Sequence, residues 1–178
     1  MYIYETYSEI WAEIIHVIIT ISIETHGKHI SFVSLVEDML GKELFFSMFQ
    51  CAKILDHFKI EYDELFRKDQ SSFFSFGGVK QYREKTAAFC YFFMKTFLLF
   101  NCNMFVEWSL DKNGQSILFK NPETNVRKFV DDLILSKYND PEFVNCLAQI
   151  KSAYFKRKHA KNKDFIFKTL RMTANEII

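Results

Sequence analysis

Apolar residues recur at three- and four-residue steps over residues 3–24, at Tyr4, Tyr7, Trp11, Ile14, Ile18 and Ile21. That spacing lays one stripe along an α-helix. The β-branched run at 14–21 also suits a buried strand, but the length of the pattern favours a helix. His26-Gly27-Lys28-His29 reads as a turn. A second helix starts near Ser31 or Ser34, where Ser34 and Glu37 have the spacing of a capping box. There the hydroxyl and the carboxylate satisfy the free backbone N–H groups reciprocally. A third helix, after Gly41, runs over 42–58 with Leu44, Met48, Cys51, Leu55 and Phe58 on one stripe. Residues 59–78 are less regular and end in an aromatic-rich loop at 71–78. Residues 79–101 read as the central, most buried helix.

The pattern then changes. Met104, Val106, Trp108 and Leu110 alternate with Phe105, Glu107 and Ser109, and Asp111-Lys112-Asn113-Gly114 follows. Asn-Gly supplies the two positive-φ positions of a type I′ turn, so residues 104–120 read as a β-hairpin set into a helical protein. Both prolines mark helix starts: Asn121-Pro122-Glu123 and Asp140-Pro141-Glu142 each offer a capping side chain, a proline at the first position and an acid in the first turn. The first of these helices is expected to bury Val126, Phe129, Val130, Leu133 and Ile134, and the second Phe143, Leu147, Ile150 and Tyr154. A last helix is expected over 164–175. The fold class is therefore mainly α, a compact multi-helix bundle of about six or seven helices with one hairpin near 104–120. With 178 residues and no linker or repeat, one domain over 1–178 is expected.

Composition adds a Phe-rich core, with 21 phenylalanines against five glycines and two prolines. Some rings, Phe73, Phe74 and Phe76 above all, could instead form an exposed face for a protein partner or a membrane. Cys51, Cys90, Cys102 and Cys146 form no C-x-x-C pair. The first residues carry Glu5 and Glu9 rather than a basic leader. A cytoplasmic, reducing setting is the simplest expectation. The apolar segments 14–23 and 87–100 are shorter than the run of about 20 residues that a bilayer core needs. Both read as buried helices, with membrane contact through the first left open.

Charge separates the chain into two parts. Residues 151–178 hold Lys151, Lys156, Arg157, Lys158, Lys161, Lys163, Lys168 and Arg171 against Asp164 and Glu176, a local charge of +6; fifteen cations and twenty acids leave −5 on residues 1–150. A basic cluster is an electrostatic footprint for phosphates or an acidic surface. It is also what the last turn of a solvated helix favours. The expected polyanion-binding set is Lys156, Arg157, Lys158, His159, Lys161, Lys163, Lys168 and Arg171.

Chemistry is thinly represented. His26 and His29 could supply two metal ligands, fewer than a site needs. His16 reads as a core histidine. His57 with Asp56, Glu61, Asp63 and Glu64 could form an acid–base cluster or a solvated acidic stretch. No phosphate loop, dinucleotide fingerprint, nucleophile elbow or zinc-protease motif occurs, and no cofactor is expected. In helical content the chain is similar to HEPN-type ribonucleases, whose motif is an arginine followed by a histidine after four to six residues. Arg157-Lys158-His159 is the nearest approach, at a shorter interval. That similarity would imply catalysis at Arg157 and His159. The leading expectation is a non-enzymatic binding or regulatory protein whose basic C-terminal surface engages RNA, DNA or an acidic protein. The alternatives are a degenerate helical ribonuclease and a membrane-associated or homo-oligomeric effector using the apolar N-terminal helix.

Overall fold

The computed structural model describes residues 3–25, 31–66, 89–158, 165–167, 170, 171 and 174. Six α-helices lie among them: α1 (Ile3–Glu24), α2 (Phe32–Phe58), α3 (Lys95–Phe100), α4 (Cys102–Lys112), α5 (Pro122–Phe129) and α6 (Pro141–Arg157). Helix α3 continues a π-helical turn, Phe89–Met94, and α5 runs on into another, Val130–Leu135. Short 3-10 turns cover Tyr62–Phe66 and Phe165–Phe167. The architecture is an all-α bundle in which α2 is the central strut, packed against α1, α3 and α6.

Helix α1 spans the expected residues, and half of the expected stripe, Tyr7, Ile14 and Ile21, is buried. Ile3, Tyr7, Ile10, Ile14, Val17 and Ile21 face the core, while Tyr4 and Ile18 are exposed. A helix that is apolar on nearly every side does not declare from sequence which side packs. It is long and apolar enough to span a membrane by length and composition. His16, read as a core histidine, is exposed.

Helix α2 is capped by Ser31, whose hydroxyl accepts from the Ser34 N–H. The capping box expected at Ser34 is therefore one turn inside the helix. Gly41 does not divide it. A Cβ built there would meet nothing within 4 Å, so the glycine sits on an exposed face of one 27-residue helix. The cost of glycine in a helix interior, about 1 kcal/mol against alanine, is outweighed by burial further along α2, of Phe46, Met48, Cys51, Ile54 and Leu55. The left-handed Lys59 ends the helix, with the Ile60 N–H returning to Leu55 O at 3.1 Å.

The hairpin expected at 104–120 does not form, and no β-strand occurs among the described residues. Burial along 104–110 follows a helical period instead of the alternation: Phe105, Trp108 and Ser109 are buried together, while Met104, Val106 and Leu110 are half-buried. Asn113-Gly114 serves a helix end. Gly114 is left-handed at φ 61, the Asn113 N–H bonds Ser109 O, and the Gln115 N–H reaches Leu110 O at 2.7 Å. This Schellman-type closure uses the same positive-φ freedom that a hairpin turn would. The following loop is held by side chains. Asn113 Oδ1 accepts the Lys120 N–H at 2.7 Å, the Tyr7 hydroxyl donates to Ile117 O, and Asn125 Nδ2 donates to Lys112 O and Lys120 O.

Of the two Asx-Pro-Glu starts, Asp140 caps α6 by accepting from the Glu142 and Phe143 N–H groups. Asn121 adopts a left-handed backbone at φ 47 and makes no side-chain cap. The expected stripe Phe143, Leu147, Ile150 and Tyr154 is buried, as are Phe129, Val130, Leu133 and Ile134, whereas Val126 is half-buried. In the segment expected to be central, Phe93, Met94, Phe97 and Leu98 are fully buried. Within it Lys95 bonds Glu13 of α1 at 2.8 Å, and Thr96 bonds Ser47 of α2 at 2.7 Å. Of the helix expected at 164–175, the described residues are the 3-10 turn Phe165–Phe167, Leu170, Arg171 and Ala174, and none of them is α-helical.

Candidate functional site

A concavity of about 660 Å³ lies between α2, α6 and the Phe165–Phe167 turn. Its position follows from helix phase. The capped α6 turns Ile150 and Tyr154 onto α2, and the next positions along the same edge are small, Ser152 and Ala153. Small side chains there leave a trough instead of closing it. Helix α2 contributes Phe45 and Phe49 four residues apart on one face. Phe45 is 56% exposed, a large apolar ring with one side open to solvent.

The third wall is Ile166 and Phe167. Phe167 packs edge-on to Phe49 at 5.1 Å and stacks on Tyr154 at 6.0 Å. This wall is clasped to α2 through its backbone. Lys53 Nζ donates to Ile166 O at 2.5 Å, and the Ala174 N–H donates to Glu43 Oε2 at 2.8 Å. Desolvation lowers the Lys53 amine to about 8.

The cations at the site divide into two kinds. Lys158 is committed: its Nζ lies 3.0 and 3.1 Å from the two oxygens of Asp56 and 4.3 Å from the Phe155 ring centroid. Burial alone would raise the Asp56 carboxyl, but hydrogen bonds from Lys59, Lys158 and the Tyr154 hydroxyl, with the Lys158 charge, hold it down at about 2. Burial, and then the bond to Asp56, push the Tyr154 phenol up to about 12. Lys151 is likewise taken up by Glu61 at 2.5 Å. Lys156 and Arg157, in contrast, are exposed on the rim of the trough and have no ion-pair partner among the described residues. The site is thus an aromatic and aliphatic floor edged by two positive charges that are unpaired among the described residues.

Of the expected polyanion-binding residues, Lys156 and Arg157 come together on this rim, Lys158 is turned inward to Asp56, and Arg171 is half-buried. His159, Lys161, Lys163 and Lys168 lie outside the described residues, as do Phe73, Phe74, Phe76, His26 and His29. For the ribonuclease alternative, Arg157 is an exposed rim residue. Of the acids expected near His57, Asp56 and Glu61 are each paired with a lysine. Among the described residues no group of three or more His, Cys, Asp or Glu could hold a metal. Burial pushes the Cys51 thiol up to about 12, which makes it a poor nucleophile.

Phe45 and Phe49 were not singled out from sequence. Their four-residue spacing on α2, continued by Lys53, was the available signal; the stripe through Leu44, Met48 and Cys51 masked it. No protein-family model, no curated protein and no solved structure matches the chain.

Proposed function

We propose that the protein is a non-enzymatic binding module whose α2–α6 trough receives an amphipathic helix from an acidic protein partner. The observation that supports this reading is the pairing of an apolar floor, Phe45, Phe49, Ile150 and Phe167, with Lys156 and Arg157, unpaired among the described residues, at its rim. Helix-in-groove recognition uses such a floor for anchors at i, i+3, i+4 and i+7. Each well-buried aliphatic anchor contributes about 2 kcal/mol, and the rim charges act mainly on the rate and choice of partner.

Among the described residues only these two unpaired cations edge the trough, few for a nucleic acid. Two neutralised phosphates give a log–log salt slope of only about −1.8 on duplex DNA. Strongly salt-dependent binders neutralise about 6–10. An apolar floor also offers nothing to a sugar–phosphate backbone.

Fluorescence anisotropy with labelled amphipathic helices tests the reading. The helices carry Leu at i, i+3, i+4 and i+7, with either Glu or Lys at the polar positions. The Glu-flanked helix is expected to bind and the Lys-flanked helix to bind far more weakly. Ala153→Trp, which fills the trough from an exposed position, is expected to abolish binding without unfolding the protein. Equal binding of both helices, or binding unchanged by Ala153→Trp, would overturn the reading. Preferential binding of single-stranded RNA with a steep salt slope would favour the nucleic-acid alternative instead.

A further inference from the structure

The trough asks for a helix with exposed apolar anchors and an acidic flank, and this chain carries one. Helix α1 buries Ile10, Ile14, Val17 and Ile21 against the bundle and leaves Ile15, Ile18, Ile19 and Ile23 on the outside, Ile19 53% and Ile23 70% exposed. Ile15, Ile19 and Ile23 follow at four-residue steps, so they form a continuous ridge. The helix contains no lysine or arginine. Its acids include Glu9 and Glu24, which have no ion-pair partner among the described residues, and Glu24 directly follows the last isoleucine of the ridge.

The occupant matches the receptor in both respects. Isoleucine is stiff at χ1, so an isoleucine ridge loses little freedom on docking against Phe45 and Phe49. The acidic flank of α1 faces the sign of charge opposite to that of Lys156 and Arg157. At larger scale, residues 1–150 carry −5 and residues 151–178 carry +6, so one copy's N-terminal region and another's C-terminal region attract. The ridge and the trough share no residue, so each copy can offer both at once.

We propose that the chain self-associates head to tail, the α1 isoleucine ridge of one copy docking in the α2–α6 trough of the next. This rests on the trough being a helix-binding groove and names its occupant as a second copy. The contact is heterologous, and such contacts propagate into open chains unless the rotation closes a ring.

Sedimentation velocity of the full chain over a concentration series tests it, with two variants checked as folded by circular dichroism. Wild type is expected to grow beyond a dimer as concentration rises. Ile19→Glu/Ile23→Glu removes the ridge, and Lys156→Glu/Arg157→Glu reverses the rim; each alone is expected to stay monomeric. Mixed together they are expected to form a dimer and nothing larger, because each keeps only the surface the other has lost. Wild type that is monomeric throughout, self-association that persists in either variant, or a mixture that stays monomeric would each overturn the proposal. If the Glu-flanked helix still binds a monomeric wild type through the trough, self-association alone is wrong and the groove reading stands. Loss of phosphatidylcholine-vesicle flotation in Ile19→Glu/Ile23→Glu, with no change in assembly, would overturn the proposal in favour of a lipid surface as the partner of the ridge.

Discussion

Replacing Lys95 by methionine should be among the most damaging single changes in the bundle, and replacing its partner as well should undo most of the damage. Lys95 Nζ lies 2.8 Å from Glu13 Oε2, with the two side chains 2% and 7% exposed. Glu13 Oε1 has no hydrogen-bond partner among the described residues, so the carboxylate depends on lysine for compensation. Lys95→Met leaves that charge buried, and breaking one side of such a pair costs about 3–5 kcal/mol. A domain of this kind has about 5–15 kcal/mol to lose. At about 2–4 °C per kcal/mol for a chain of this size, the melting temperature should fall by about 6–20 °C. Glu13→Leu/Lys95→Met removes both charges and substitutes apolar volume, a change often neutral or stabilising by about 1–4 kcal/mol. Urea unfolding followed by circular dichroism, run as a double-mutant cycle, measures both. Should Lys95→Met cost less than about 1 kcal/mol, or the double variant lose as much as the single changes summed, the pair is not the desolvated contact the geometry describes.

Other consequences follow from local structure. Gly41→Ala should stabilise by about 0.5–1 kcal/mol in chemical denaturation, because α2 is helical through it and the new methyl meets nothing; a loss would mean that α2 breaks there. Gly114→Ala should destabilise by about 1–2 kcal/mol, the cost of a left-handed backbone for an L-residue, since its Cβ would meet only Lys120 Nζ at 3.7 Å. Asp56 has its carboxyl lowered from 3.8 to about 2, so its contribution is complete above pH 4 and is lost as pH falls from 4 towards 2. After solvent screening this should amount to about 1–2 kcal/mol, and wild type and Asp56→Asn should converge in acid unfolding. Parallel curves would show that Asp56 does not carry the pH dependence.

Where local chemistry has one meaning, the sequence was readable. Asp140-Pro141-Glu142 can only start a helix well, and α6 begins there with its expected buried stripe. Asn113-Gly114 had two meanings, since positive φ serves a hairpin turn and a helix C-terminus alike, and only the packing of Phe105 and Trp108 against Phe129 and Tyr7 selects the second. Gly41 gave a false boundary because the burial that carries α2 through it is tertiary. The Glu13–Lys95 pairing spans 82 positions, beyond any local pattern. The trough was half legible: charge counting found Lys156 and Arg157, but whether a lysine is committed depends on a partner such as Asp56, 102 positions from Lys158.

The binding role of the α2–α6 trough is tested most directly by amide chemical-shift mapping of the isotope-labelled protein during titration with the Glu-flanked helix. The expected result is a contiguous set of shifts at Phe45, Phe49, Ser152, Ala153, Lys156 and Arg157, absent in Ala153→Trp. Shifts confined to another face, or none at saturating helix, would contradict it.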